Sequence, residues 1–484
     1  MNKKAIVIGA GIGGLASAIR LSSKGYDVSV HEKNKVAGGK LTEFRLGRYR
    51  FDFGPSLFTM PDFVTDLFQL AGKEYKDYFN YISLEEACRY FYQDGMSFIA
   101  PTDRVKFAHE ASKVFEISEK QISRYFDYNE KIFNKSGRIF LNESVHKLST
   151  FMNARALNAA MQSYVIELFR SMHKANAKAL NDPKLVQLFD RYATYNGSNP
   201  HKAPAILNSI SVLEHLHGTF FPIGGMSSIS NALYQLAKDL GVKFHFESEV
   251  ERIVYTKQKV EGIIAGDLTH HAEIIVSNMD VGFVYQRLLP DLRPPGFYMN
   301  REKSSSAIIF YWGIKKKFDS LGLHNIFFAE EYKAEFDDLF QNKRTHQDPT
   351  VYINNTSHHD LQDAPEGCSN WFVMINAPAV KDIDLDLVRS NVITKLSRHF
   401  GEKIDILIEE ERIVTPQIIE SLTLSHKGAL YGSSSNAWTS AFLRHPNFSG
   451  KLKGLYFVGG SVHPGGGIPL CLLSAKIATE LIDG

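Results

Sequence analysis

Apolar residues Ala5, Ile6, Val7 and Ile8 run into Gly9, Gly11, Gly13 and Gly14, and residues 15–21 continue with apolar positions at helical spacing. A second strand-like run, 27–31, closes on Glu32. The pattern predicts strand, tight turn, helix and strand. Further along, it predicts a short helix over 60–72 opened by Pro61, then a hairpin over 88–99 turning at Gln93-Asp94-Gly95. Asp103 and Ser118 read as helix N-caps, Ser118 with Gln121 as a capping box, opening a helical region that runs to about residue 191. Leu157, Met161, Tyr164, Val165, Leu168, Phe169 and Met172 fall on one face there, which reads as core-facing before it reads as resting on a membrane. Pro200 and Pro204 interrupt, and helices over 206–215 and 227–240 follow. Strands are predicted at 242–246, 250–253 and 273–277, then at 307–314, 351–353 and 370–376, with a helix at 386–400. A last strand, 454–458, meets a glycine-rich segment and a final helix to Asp483.

The first unit has a chemical meaning. A strand turning on glycines into a helix leaves backbone N–H groups and the positive helix end facing outward, where a dinucleotide pyrophosphate binds. An acid about 20 residues on binds a ribose diol and repels a 2′-phosphate. Glu32 holds that place, with Lys33 after it. A second glycine pair, Gly38-Gly39, followed by Lys40, brings backbone near a phosphate again. A plain NAD site does not need this; an FAD spread along the domain uses it. Residues 48–53 then alternate like a strand and stop at Gly54-Pro55-Ser56.

The chain has 484 residues, enough for a large core and at least two domains. With 55 Lys+Arg against 53 Asp+Glu, no broad electrostatic case for nucleic acid exists. Three cysteines (Cys88, Cys368, Cys471) lie far apart, which points to a reducing compartment without structural disulfides. His215/His217, His270/His271 and His358/His359 have no third ligand at recognisable spacing, so no metal site is expected. Four residues precede the first strand and no apolar run reaches the ~20 residues of a spanning helix. The expectation is a cytoplasmic chain, soluble or peripheral.

Taken together, Gly9–Gly14 with Glu32, Gly38-Gly39-Lys40, Asp52-Phe53-Gly54-Pro55, residues 221–226, residues 277–280 and residues 459–469 resemble the bacterial-type carotenoid (phytoene) desaturase family of the flavin amine oxidase superfamily. The resemblance covers essentially the whole length. The stretch His463-Pro464-Gly465-Gly466-Gly467-Ile468-Pro469 entering a helix is its most specific part. It implies an α/β fold: a Rossmann-like, GR2-type FAD-binding domain (1–75, 220–290 and 445–484) and a discontinuous α+β substrate domain (76–219 and 291–444). A helical, membrane-associated part falls at about 103–195.

By the same resemblance, Gly9, Gly11, Gly13 and Gly14 lie at the FAD pyrophosphate and Glu32 at the ribose. Lys33, Gly39 and Lys40 line the cofactor, and Gly54, Pro55 and Ser56 its flavin side. Val250 meets the adenine region, and Asn278 and Asp280 also bind the cofactor. Gly459, Gly460, Gly467, Ile468 and Pro469 approach the isoalloxazine, where a helix N-terminus favours negative charge. Position 460 is glycine where an acid or alanine is common, so no side-chain contact to the ribityl is expected there; Cys471 does not match the covalent-flavin cysteine, so the FAD is expected to be non-covalent. The implied chemistry is removal of hydride from a C–H beside a polyene, then loss of a proton, in an apolar tunnel needing at most one weak base. Glu214 is the carboxylate nominated for that base.

The chain leans toward the hydroxycarotenoid 3,4-desaturase branch, with phytoene or neurosporene desaturation and terminal oxidation as alternatives. A rival from another class is a non-catalytic prenyl or polyene carrier on the same fold. The implied partners are an acyclic carotenoid and the inner face of the cell membrane, met peripherally, with Lys315-Lys316-Lys317 as a basic contact. No nucleic-acid partner is expected, and the oligomeric state is left open.

Overall fold

The computed structural model describes residues 3–134, 165–380 and 382–483. Five strands form a parallel sheet: β1 (Lys4–Ile8), β2 (Asp27–His31), β3 (Lys243–His245), β4 (Ile274–Ser277) and β5 (Leu455–Phe457), in spatial order β5-β4-β1-β2-β3. Side chains alternate across a strand, and here both faces are buried. Ala5 and Val7 pack on the helices α1 (Ile12–Ser23), α2 (Ser227–Asp239) and α3 (Ile468–Asp483). Ile6 and Ile8 point the other way, onto a three-stranded antiparallel sheet made by Val250–Thr256, Lys259–Ala265 and Leu268–His271. This is the predicted strand–turn–helix–strand unit, with partners from three distant stretches of the chain, 227–245, 250–277 and 455–483.

A second sheet has seven strands, in spatial order Ile408–Val414, Ser306–Ile314, Ser369–Ala377, Val351–Asn354, His324–Phe327, Glu86–Phe91 and Ser97–Pro101. Its pairs are antiparallel except the one joining His324–Phe327 to Glu86–Phe91. Ile308, Phe310 and Trp312 face the helix Leu385–Phe400, while Ala307, Ile309 and Tyr311 face the ribbon of Glu43–Leu46 and Tyr49–Asp52. The helices Arg104–Val114, Glu119–Ile132 and Pro183–Asp190 pack around Phe107, Phe126 and Phe189 against the other end of this sheet.

Local expectations fare differently according to whether neighbours intervene. Asp103 caps its helix, accepting from the N–H groups of Val105 (3.0 Å) and Lys106 (2.8 Å). Ser118 accepts from Gln121 N–H at 3.3 Å, but the Gln121 side chain donates to the Ala179 carbonyl at 2.7 Å, so the box is not closed. The single face drawn through Phe169 and Met172 does not exist. One helix ends at Phe169, and another opens at Met172 behind the Ser171 cap, with Phe169 exposed and Met172 buried. Leu157, Met161 and Tyr164 lie outside the described residues.

Candidate active site

The two sheets and the helices between them enclose a cavity of about 610 Å³. Every cofactor position expected from sequence lies on its wall except Gly14: Gly9, Gly11, Gly13, Glu32, Lys33, Gly39, Lys40, Gly54, Pro55, Ser56, Val250, Asn278, Asp280, Gly459, Gly460, Gly467, Ile468 and Pro469. Gly14 has another task. A Cβ there would lie 2.0 Å from the Gly9 carbonyl oxygen, so glycine lets α1 press against the turn that precedes it.

The turn is built from backbone. Gly9 takes a φ of +91°, a region that favours glycine, and its N–H donates to the His31 carbonyl at 2.8 Å. Gly11 is the N-cap of α1 and supplies no side-chain cap, which leaves the first-turn donors for a ligand. The second glycine pair closes on the first: Gly38 N–H donates to the Ala10 carbonyl at 2.8 Å, and a Cβ on Gly39 would lie 3.1 Å from Gly11 Cα. Asn278 wedges its amide between Gly11, Gly13 and Gly459. Asp280, by contrast, accepts from Gly282 N–H at 2.9 Å and caps a short helix from the wall.

Glu32 is buried on this wall. Its Oε2 accepts from Ala10 N–H at 2.7 Å, and its Oε1 from the Asn34 N–H at 2.9 Å and amide at 2.7 Å. With two acceptor sites per carboxylate oxygen, Oε2 keeps one free for a ribose hydroxyl. Lys33 sits at the rim, its ammonium donating to the Ser421 carbonyl at 2.9 Å.

Besides Lys33 at the rim, two cations on the wall have only carbonyl partners among the described residues. Lys40 donates to the Leu430 carbonyl at 3.1 Å, and burial pushes its pKa down. Arg444, which the sequence reading missed, donates to the carbonyls of Tyr431 (2.7 Å), Ser433 (3.0 Å) and Gly460 (3.4 Å). Burial pushes its pKa down to about 10. Buried charge without an acidic partner is costly, and an anionic ligand in the cavity relieves it. These donors, the glycine turn and Glu32 fit the diphosphate and ribose of FAD. Bound there, FAD supplies a hydride acceptor. Burial holds the Cys471 thiol up at about 11, so it stays protonated, in keeping with a cofactor held without a covalent bond.

The glycines before α3 divide by role. Gly466 packs against Tyr431, with a Cβ there lying 2.8 Å from its ring, while a Cβ on Gly467 would meet nothing within 4 Å. Gly467 is needed for its φ of +110°. The motif at 48–55 also acquires a mechanical sense. Asp52 accepts from Met226 N–H (2.9 Å) and Ser227 N–H (3.1 Å) at the start of α2, and pairs with the Arg50 guanidinium at 2.9 Å. This fixes Gly54-Pro55-Ser56 on the wall.

Glu214 is not on the wall. It is buried one residue behind it, with Oε2 accepting from Tyr192 OH at 2.7 Å and Oε1 from Tyr195 OH. Tyr195 lines the cavity; Glu214 positions it and is not placed to take a proton from a ligand. Elsewhere, His173 and His201 stack at 4.2 Å, and Asp190 accepts from His173 (2.7 Å) and Asn176 (2.8 Å). Both Asp190 oxygens are thus engaged in a hydrogen-bonded cluster that its sequence spacing did not reveal.

A glycine-turn dinucleotide site opening into an enclosed, largely apolar cavity defines an FAD-dependent oxidoreductase. The profile of the flavin containing amine oxidoreductases matches residues 12–483, and the chain belongs to that family. It is 48% identical to a 1-hydroxycarotenoid 3,4-desaturase of Flavobacterium sp. (strain P99-3), over 99% of each chain. It is 31% identical to a 4,4′-diapolycopene oxygenase of Methylomonas sp., over 99% of this chain and 98% of that one. Among solved structures, putrescine oxidase bound to putrescine superimposes with a TM-score of 0.66 at 13% identity over the whole of both chains. Cyclohexylamine oxidase from Brevibacterium oxydans IH-35A gives 0.60 at 14%, over 100% of this chain and 99% of that one. These two share the fold.

Proposed function

We propose that the protein is a carotenoid desaturase that introduces a C=C bond into an acyclic carotenoid, by 3,4-desaturation of a 1-hydroxycarotenoid. The observation that carries this reading is the wall built by the seven-stranded sheet and the helical segments. It presents Phe133, Ile206, Ile210, Leu213, Ile309 and Phe372, one cation in Arg191, and no carboxylate among the described residues. An ammonium substrate would meet a guanidinium there and no counter-charge, whereas a polyene finds apolar surface. The 48% identical relative supports the branch.

The test is anaerobic addition of a 1-hydroxycarotenoid, in liposomes, to the flavin-loaded protein. The expected result is bleaching of the flavin and a product lighter by two hydrogens with a red-shifted spectrum. A flavin that stays oxidised with every acyclic carotenoid that binds would overturn the reading in favour of a carrier. A second reading, oxygenation of a polyene end, is favoured by the name of the 31% identical relative, and a product that has gained oxygen would select it.

We further propose that the protein draws this substrate from a lipid surface at the inner face of the cell membrane. Phe169 and Trp438 are 71% and 45% exposed and lie edge to face at 6.4 Å, an apolar pair suited to an interface. No helix among the described residues is long and apolar enough to cross a membrane. The lysine cluster contributes less than its sequence suggests, because Lys316 is paired with Glu402. Flotation with anionic liposomes, reduced in Phe169→Ser, is the expected outcome; flotation unaffected by that change would remove this pair from the interface.

A further inference from the structure

Two hydrogen-bond donors on the apolar wall lack acceptors. Arg191 is 6% exposed and closes the helix Pro183–Asp190. Three tyrosine rings surround its guanidinium: Tyr90, Tyr192 and Tyr195, with centroids 5.3, 5.1 and 5.0 Å away. Its Nη2 donates to the hydroxyls of Tyr90 (2.8 Å) and Tyr195 (3.1 Å). No described residue accepts from Nε or Nη1. The acid that acts on it through charge, Glu214, has both oxygens taken by tyrosine hydroxyls.

His324 is 4% exposed and lines the same cavity. Its Nδ1 faces Tyr352 OH at 2.8 Å and Asn354 Nδ2 at 3.4 Å. An amide nitrogen only donates, and Asn354 Nδ2 also donates to the Leu323 carbonyl at 3.1 Å. Nδ1 is therefore the acceptor and the ring proton sits on Nε2, which has no partner. Burial, with the charge of Arg191 acting in the same direction, keeps the ring neutral. Tyr352 OH also bonds Ser56 Oγ at 2.7 Å, which ties His324 to the segment Gly54-Pro55-Ser56.

We infer that Arg191 and His324 form a donor pocket for the terminal hydroxyl oxygen of the substrate. The assignment rests on the polyene reading above and deepens it. Both residues offer N–H groups, and the one acceptor between them, His324 Nδ1, is already taken by Tyr352 and Asn354, so the group they take is an oxygen acceptor on an otherwise apolar molecule. Binding an unhydroxylated chain would leave the Arg191 Nε–H and Nη1–H groups and a buried imidazole N–H unpartnered, which is how a site rejects an analogue that lacks the group it was built to bind. Arg191 does no chemistry here: it fixes where the polyene stops, and so which C–C bond is presented beyond it.

The experiment compares kcat/KM of the flavin-loaded protein for a 1-hydroxycarotenoid and for its parent without the hydroxyl, both in liposomes of the same lipid. The native protein should prefer the hydroxylated chain by about 10- to 100-fold. Arg191→Met should bring that ratio below about threefold, and His324→Phe should lower it by a smaller factor, with FAD content unchanged in both. His324→Phe decides alone if Arg191→Met does not fold. A ratio near one in the native protein leaves the desaturase reading standing and overturns this inference. A preference that survives both substitutions, or an equal slowing on both substrates, also overturns it. Oxidation of neither chain overturns the desaturase reading and the inference together.

Discussion

At one end of the cavity, Gly9, Gly11, Glu32 and Gly39 come from a single short stretch of chain and act through backbone N–H groups and one carboxylate. At the other, Arg191, His324, Tyr352 and Ser56 come from four separate segments and act through side chains, with Ser56 and Tyr352 bonded across 296 positions. The nucleotide end is set by conformational rules that operate over a few residues: Gly9 at a φ of +91° and the close approach of helix to turn at Gly14 both favour glycine. The other end is set by packing. Its donors are held by tyrosines, and its one nominated acid is turned away from the ligand to hold them. A site can thus be rigid where its chemistry is generic and assembled from afar where it is particular.

Four measurements would break or sharpen that contrast. The largest effect is expected at Gly14. Gly14→Ala places a methyl 2.0 Å from a carbonyl oxygen and should cost about 3 kcal/mol, seen as a lower Tm and FAD lost on purification. A variant that keeps its flavin and its Tm would show that close packing does not govern this end. Glu32→Ala comes next. It removes charged-acceptor hydrogen bonds of about 1–3 kcal/mol, so FAD retention through dialysis should weaken about 10- to 100-fold, with little change in activity once FAD is in excess. Retention equal to the native protein's would take the ribose away from Glu32.

Acid should act on both ends alike. Burial lowers His31 to about 4 and His324 to about 3, from an ordinary value near 6.5. Between those values the unfolded chain binds more protons than the folded one, so stability falls as pH drops below about 6.5. A Tm that declines from pH 7 to pH 4, less steeply in His324→Phe, is the expected record; a flat Tm would remove these rings from the balance. The smallest effect is expected from Glu214→Gln, which keeps an acceptor for one tyrosine hydroxyl and should change kcat by less than about tenfold. A general base is worth about 100-fold or more. A fall of that size, with loss of one limb of the pH–rate profile, would restore Glu214 to the role its sequence position suggested.

The sequence by itself determined the strand–glycine–helix–acid unit, because a continuous apolar run, glycines at the turn and an acid about 20 residues on leave their marks within about 30 residues. It also determined the long strands of the second sheet, whose apolar runs exceed what a loop can hide. Only the tertiary structure decided what lies opposite the cofactor. Whether Gly14 lines the cavity or lets a helix pack, and whether Glu214 faces a ligand or a tyrosine, depends on neighbours far away in sequence. Arg444 and Arg191 gave no signal, since an arginine between ordinary residues looks alike whether solvated or buried. Their meaning comes from desolvation, which is a property of the assembled interior and of no local stretch of chain.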